Sequence, residues 1–314
     1  MNAITEIANL RLPYGRSDSQ YEVEFDPEFG TLWGFFNPSS TPCFSLSLLN
    51  DIRANDSTLE LNGGKVLHED ILHPVNYYVV GSRARGVYNL GRRSESVPVC
   101  LIEDGRSARR SRITAGAAST CIFPHIQHHG SPTMTTIALV QGDALGGGFE
   151  TVLANDVIVA EEGATMGLPE ILFNLFPGMG AYSLLTRRLG RKAAEDMILS
   201  GKLYKASELH EMGIVDVLAP NGDGEKAAYE WIRKNHRRRN GIQAMFQCRE
   251  HVHPISREEM DRVVDVWVDA AMRLEEKDLK MMHRLVRAQS RRTSGDEIAP
   301  EAGPIEHAAA CVAA

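Results

Sequence analysis

TTIALVQGDALGGGFE, residues 135–150, decides the fold of this chain. TTIALVQG is a continuous apolar run with β-branched residues, the composition of a strand buried on both faces. It leads into Gly146, Gly147 and Gly148. Beyond them FETVLAND (149–156) reads as helix and VIVAE (157–161) as another buried strand. Strand, glycine turn, helix and strand in that order argue for an α/β architecture.

Three readings compete for the glycine turn. A Walker-type phosphate loop needs Lys-Ser/Thr after its last glycine, and here Phe149 and Glu150 follow. A dinucleotide fingerprint needs glycine where Thr151 stands, and Glu150 would repel a phosphate. Phosphate cradling is therefore excluded. A plain tight turn remains, since glycine permits positive φ and close backbone approach. The third reading uses every residue present. N–H groups at a helix start favour negative charge, and a carboxylate in the first turn could move a proton beside a held oxyanion.

Working outward, YEVEFDPEFGTLWGFF (21–36) holds two β-type runs around Asp26, Pro27 and Gly30. SLSLLNDIRAND (45–56) has helical spacing, and NYYVV (76–80) is strand-like. From about residue 180 helices dominate, with stops at Gly190, Gly201 and Gly213. Ser256 to Glu259 has capping-box spacing and opens an apolar stripe through Met260, Val263, Val264, Trp267, Ala271 and Leu274. Core packing is the first reading of Trp267, Met260 and Met272, with lining of an acyl-chain pocket as the alternative. HRRRNG (236–241) reads as a basic helix end. The tail after Arg292 has a disordered composition.

Glu170 follows Pro169 in the apolar stretch GLPEILFNLFPGMGA (167–181). It is either a dipole-stabilised first-turn residue or a partly buried carboxyl with a raised pKa. Paired with Glu150, it allows acid and base duties to be divided. His125, His128 and His129 have zinc-like spacing, but Pro124 and Gly130 bracket them and no matching Cys, Asp or Glu set is apparent. No metal is expected.

The 314 residues carry a formal charge of −7, which argues against nucleic acid as the main partner. Arg83, Arg85, Arg92, Arg93, Arg106, Arg109, Arg110 and Arg112 form a local basic stretch, either a solvated loop or a contact for an acidic partner. Cys43, Cys100, Cys121, Cys248 and Cys311 show no paired spacing and read as reduced thiols. The N-terminus carries no signal-peptide pattern, and no apolar run approaches a membrane span. A cytoplasmic protein without a membrane partner is expected.

VQGDALGGGFE together with MGLPEILFNLFPGMGAYSLLTRRLG resembles the heart of the crotonase (enoyl-CoA hydratase/isomerase) superfamily. Within it the chain is most similar to bacterial synthases of cis-2-unsaturated fatty-acid signals, the diffusible signal factors. GVYNLG (86–91), NLFPGMGAYS (174–183) and WVDAAMRLEEKDLKMMHRLVRAQSRR (267–292) carry that likeness.

The resemblance implies a crotonase-like ββα spiral over 1–215, a helical region over 216–292 and a tail over 293–314, assembled as a homotrimer. It implies dehydration of a 3-hydroxyacyl thioester on acyl carrier protein, then hydrolysis to the free acid, with no cofactor. Acyl-CoA is the alternative substrate, and a sensor histidine kinase is a possible partner of such synthases. By position Glu150 and Glu170 match the catalytic glutamates. Gly147 matches one oxyanion-hole donor, and Gly91 or Arg92 should supply the other. Leu145, Gly146, Met166 and Trp267 are expected at the substrate.

The sequence departs from the family pattern at residues 92–129. Arg92 stands where a glycine is expected, and periodicity is lost amid the arginines. That loss predicts a segment translated partly out of frame, which resequencing of the coding DNA would confirm or overturn. If the segment is genuine, a weakened oxyanion hole is expected.

Overall fold

A computed structural model describes residues 19–39, 41–91 and 121–293, with side chains described as far as residue 285. Arg92, Arg93, Cys100, the arginines at 106–112 and the tail past Thr293 lie outside the described residues.

In chain order the strands are β1 (Tyr21–Asp26), β2 (Thr31–Phe36), β3 (Lys65–His68), β4 (Ile71–Pro74), β5 (Tyr77–Ser82) and β6 (Val87–Asn89). They continue with β7 (Thr135–Val140), β8 (Asp143–Leu145), β9 (Val157–Glu161), β10 (Thr165–Gly167), β11 (Leu203–Lys205) and β12 (Val217–Ala219). The helices are α1 (Leu46–Leu61), α2 (Gly147–Leu153), α3 (Ala181–Leu189), α4 (Arg191–Ser200) and α5 (Ala206–Glu211). After these come α6 (Gly224–His236), α7 (Arg239–Val252), α8 (Arg257–Ala271) and α9 (Glu276–Thr293). Residues 121–126 are also helical.

β5 and β7 are buried at every position, as a continuous apolar strand requires. They lie at the centre of a six-stranded sheet ordered β1-β2-β5-β7-β9-β12. β1 pairs antiparallel with β2, and every later pairing in this sheet is parallel. A smaller sheet is ordered β11-β10-β8-β6. Thus β5 then β6, β7 then β8, and β9 then β10 each send one strand to the large sheet and the next to the small one. This alternation is the expected ββα spiral.

The main core fills the space inside this spiral, with Leu32, Leu48, Tyr78, Ala138, Phe149 and Ile158 among its buried members. The other face of the large sheet is covered by Ala228 and Ile232 of α6 and Phe246 of α7. β12, the edge strand of the large sheet, lies beyond residue 215, and α6 packs on this sheet. The stretch read as aberrant to residue 129 is helical over 121–126 and buries Cys121, Ile122, His125, His128 and His129. Its loss of amphipathic periodicity there has a structural reason: histidines occupy core positions.

The glycine stops hold. α3 ends on Gly190, α4 on Gly201 in the left-handed region, and Gly213 after α5 has φ +77°. Arg188 of α3 donates to the carbonyl oxygens of Leu153 and Asn155 at the end of α2. It adds to the local cap, in which Asn155 Nδ2 donates to the Thr151 carbonyl oxygen at 2.8 Å. None of the described cysteines is in a disulfide. Among the described residues no helix is long and apolar enough to cross a membrane.

Candidate active site

The three glycines of ALGGGFE each meet a different neighbour. Gly146 has φ +55°, and a Cβ there would lie 2.5 Å from Oε1 of Glu170. A Cβ on Gly147 would lie 2.8 Å from the Met179 sulfur, and one on Gly148 would lie 2.0 Å from the Asn89 carbonyl oxygen. The turn is thus squeezed between β6, the Pro177–Gly180 loop and the segment bearing Glu170. Only the absence of side chains allows all three approaches.

Beyond the turn, α2 begins at Gly147 with no side-chain cap. Its first N–H groups have no partner within the helix, so the Gly147 amide is presented at the positive end of the helix. Gly91, at φ +79°, lies against this amide: a Cβ on Gly91 would sit 3.1 Å from Gly147 N. The Gly91 N–H itself donates to Oδ1 of Asn89 at 2.8 Å. Of the two candidates for the second donor, Gly91 is therefore already engaged, and Arg92 lies outside the described residues.

Glu150 occupies the first turn of α2 and is 1% exposed. Its Oε1 accepts from the backbone N–H of Met179 at 2.7 Å and of Ala181 at 2.9 Å. Burial pushes its pKa up to about 7, while the N–H groups of Ala181, Met179 and Gly180 pull the other way. Glu170 sits in the first turn of a short 3₁₀ helix, Pro169–Phe173. Burial first, and the charge of Glu150 second, raise its pKa to about 8. The residue as a whole is half-buried, yet Oε2 is enclosed with no hydrogen-bond partner among the described residues. Two carboxyls with different partners therefore face one glycine turn. One is poised to ionise near neutrality and the other to hold its proton.

The expected substrate contacts divide. Gly146 lies at the pair. Leu145 is buried beside Cys43, Val87 and Leu90, and its carbonyl oxygen lies 2.8 Å from a Cβ built on Gly91. Met166 is fully buried, paired with Ala144 between β10 and β8. Trp267 packs on Gly178, whose built Cβ would lie 2.3 Å from the indole. It belongs to a cluster with Leu175, Val264, Val268 and Ala271. Trp267 thus braces the loop that donates to Glu150.

Asn89, which anchors Gly91, and the Met179 and Ala181 amides were not singled out from sequence. Backbone donors have no residue signature. Their only signal is Pro177-Gly178-Met179-Gly180, where Gly180 takes φ +120°. A small cavity of about 10 Å³, lined by Phe36, Phe44, Ile122, His125, Thr151 and Met179 among others, lies next to this loop.

The profile of the enoyl-CoA hydratase/isomerase family matches residues 107–273. The mevalonyl-coenzyme A hydratase of Beauveria bassiana is 44% identical over 86 residues, which is 27% of this chain and 31% of that one. The chain spans only 13% to 37% of the length of the curated relatives it matches. Among solved structures, enoyl-CoA hydratase from Bacillus halodurans superposes with a TM-score of 0.66 at 19% identity, covering 85% of this chain and 100% of that one. DspI of Pseudomonas aeruginosa gives 0.61 at 20% identity, covering 89% and 99%. At such identities these superpositions establish a shared fold.

Proposed function

We propose, because this chain belongs to the enoyl-CoA hydratase/isomerase family, that Glu150 and Glu170 interconvert a 3-hydroxyacyl thioester and its 2-enoyl thioester. The observation that carries this reading is the pair itself: two carboxyls at one glycine turn, with pKa values raised to about 7 and about 8. In the dehydration direction the ionised member removes the proton α to the thioester carbonyl. The enolate oxygen is held by the Gly147 N–H, and with the Gly91 N–H engaged by Asn89 the second donor falls to the amide of residue 92. The protonated member delivers its proton to the departing hydroxyl, which leaves as water.

The finer reading follows from the motifs of the signal-synthase resemblance. In it the thioester is carried on acyl carrier protein, the enoyl product is cis-2, and the same site hydrolyses it to the free acid. One glutamate then activates water for attack on the thioester carbonyl, and the tetrahedral oxyanion uses the same donors. A homotrimer, and docking to a sensor histidine kinase, belong to this reading.

A specific observation favours a second reading. The curated relative above is a hydratase acting on a coenzyme A thioester, so an acyl-CoA hydratase has support in local sequence identity. Incubation with 3-hydroxyacyl-acyl carrier protein and, separately, with crotonyl-CoA distinguishes the two. Free cis-2-enoic acid, detected by mass spectrometry, supports the synthase; hydration of crotonyl-CoA alone supports the hydratase. Glu150→Ala and Glu170→Ala should each lower turnover by about 10²–10⁴-fold. Signal production that survives both substitutions would overturn the acid/base assignment of the two glutamates.

A further inference from the structure

Apart from the glutamate pair, the described residues hold a second group of buried titratable side chains. Asp56 on α1, His125 in the helical segment 121–126 and His129 just beyond it each offer a ligand atom, and these atoms lie within 4.8 Å of one another. Asp56 is 2% exposed, His125 3% and His129 0%. Enclosed polar atoms of native proteins nearly always have partners, and these do not. Among the described residues, Oδ2 of Asp56, Nδ1 of His125 and both ring nitrogens of His129 have no hydrogen-bond partner. His129 Nδ1 lies 3.8 Å from Asp56 Oδ1. That is too long for a hydrogen bond.

We propose that Asp56, His125 and His129 form a zinc-class divalent-cation site that clips α1 to the segment 121–130. The donor set selects the ion. Two imidazoles and one carboxylate suit zinc and its first-row neighbours, whereas magnesium and calcium favour all-oxygen shells. Metal–ligand bonds near 2.0–2.2 Å place tetrahedral donors roughly 3.3 Å apart, so closing on the ion needs movements on the order of 1 Å. A supporting shell is present. Asn55 Nδ2 donates to Asp56 Oδ1 at 3.3 Å and to the Tyr78 hydroxyl at 2.7 Å, and the Tyr21 and Tyr78 hydroxyls bond at 2.6 Å. The Tyr78 ring packs on both imidazoles, with centroids at 5.3 Å from His125 and 4.9 Å from His129. Such outer contacts fix ligand orientation.

Electrostatics agrees with that geometry. Burial pushes His125 down to about 4 and His129 well below its ordinary value, so both imidazoles are neutral ligands at pH 7. Burial raises the Asp56 carboxyl well above the usual range and favours its neutral form, so this carboxyl must give up its proton on binding a cation. A cation would supply the opposite charge that this carboxyl lacks. Histidine spacing alone does not reveal this set, because its carboxylate lies far upstream in sequence, on a different helix.

The test uses the full chain. After dialysis against a chelator it is titrated with zinc chloride against a chromophoric indicator, and separately with cobalt(II) chloride. The wild type should bind one zinc per chain with a raised melting temperature, and cobalt should give visible bands of a low-coordinate nitrogen–oxygen site. Asp56→Asn and His129→Gln should each weaken zinc binding by at least about 100-fold. The cobalt spectrum of the wild type decides the matter even if these variants fail to fold. A wild type with no such bands and no zinc-dependent rise in melting temperature overturns the site. So does zinc uptake equal to that of a folded His129→Gln. Neither readout depends on turnover, so loss of the catalytic reading would leave this result standing.

Discussion

Glu150 and Glu170 titrate as a coupled pair, and their environments set the pH range of activity. With values of about 7 and about 8, the form carrying one shared proton dominates between those limits. kcat/KM should follow a bell with its maximum there, falling on the acid side as Glu150 is protonated and on the alkaline side as Glu170 ionises. A flat profile from pH 6 to 9, with chemistry rate-limiting, would sink the acid/base assignment. Glu150→Gln should also lower the Glu170 pKa, since the Glu150 charge is the second cause of its rise. Carbon-13 NMR of the labelled carboxyl reads this directly, and an unmoved value would mean that the two groups do not sense each other. Both glutamates were legible in the sequence because each is a carboxylate in an otherwise apolar stretch. The donors that tune Glu150 were not, because an amide of Met179 looks like any other amide until the loop is folded.

Among the helices, α8 shows how a remote element supports the site. Ser256 caps it by accepting from the Glu259 N–H at 3.1 Å, as the sequence spacing indicates. Ser256→Ala should lower stability by about 1 kcal/mol with turnover unchanged. Trp267 on the same helix covers Gly178, two residues before the last of the glycines that shape the Glu150 donor loop. Trp267→Ala should lower stability by about 3–5 kcal/mol. It should also reduce turnover, because the Met179 and Ala181 amides lose their backing. Urea unfolding and turnover measured together check this; a large stability loss with full activity would show that Trp267 is core packing alone. Helices with a cap, a stripe and a glycine stop were readable from sequence. β3, β4, β11 and β12 were not, since runs of three or four residues carry too little periodicity, and β12 is recruited by β9 through tertiary pairing.

Across the whole molecule the active site is a source of instability that depends on pH. Glu150 and Glu170 ionise near 4.5 in the unfolded chain but hold their protons to about 7 and about 8 when folded. The folded state thus binds more protons over that interval, so the stability contributed by protonated carboxyls is full below 4.5 and is lost as pH rises towards 8. Every tenfold gain in proton affinity on folding is worth about 1.4 kcal/mol, so the loss is several kcal/mol. Other groups impose their own pH dependence, and comparison with a variant cancels them. Glu170→Gln removes one of the two carboxyls while keeping its shape. Relative to wild type it should gain about 2–4 kcal/mol in unfolding free energy between pH 5 and pH 8.5, read from urea midpoints at each pH. Parallel pH curves for the two proteins would show that Glu170 titrates normally in the folded state, and the raised carboxyl on which the acid role depends would be lost. A gain that builds from about pH 5 to about pH 8 and then levels off is the outcome that ties the chemistry of the pair to the stability of the chain that holds it.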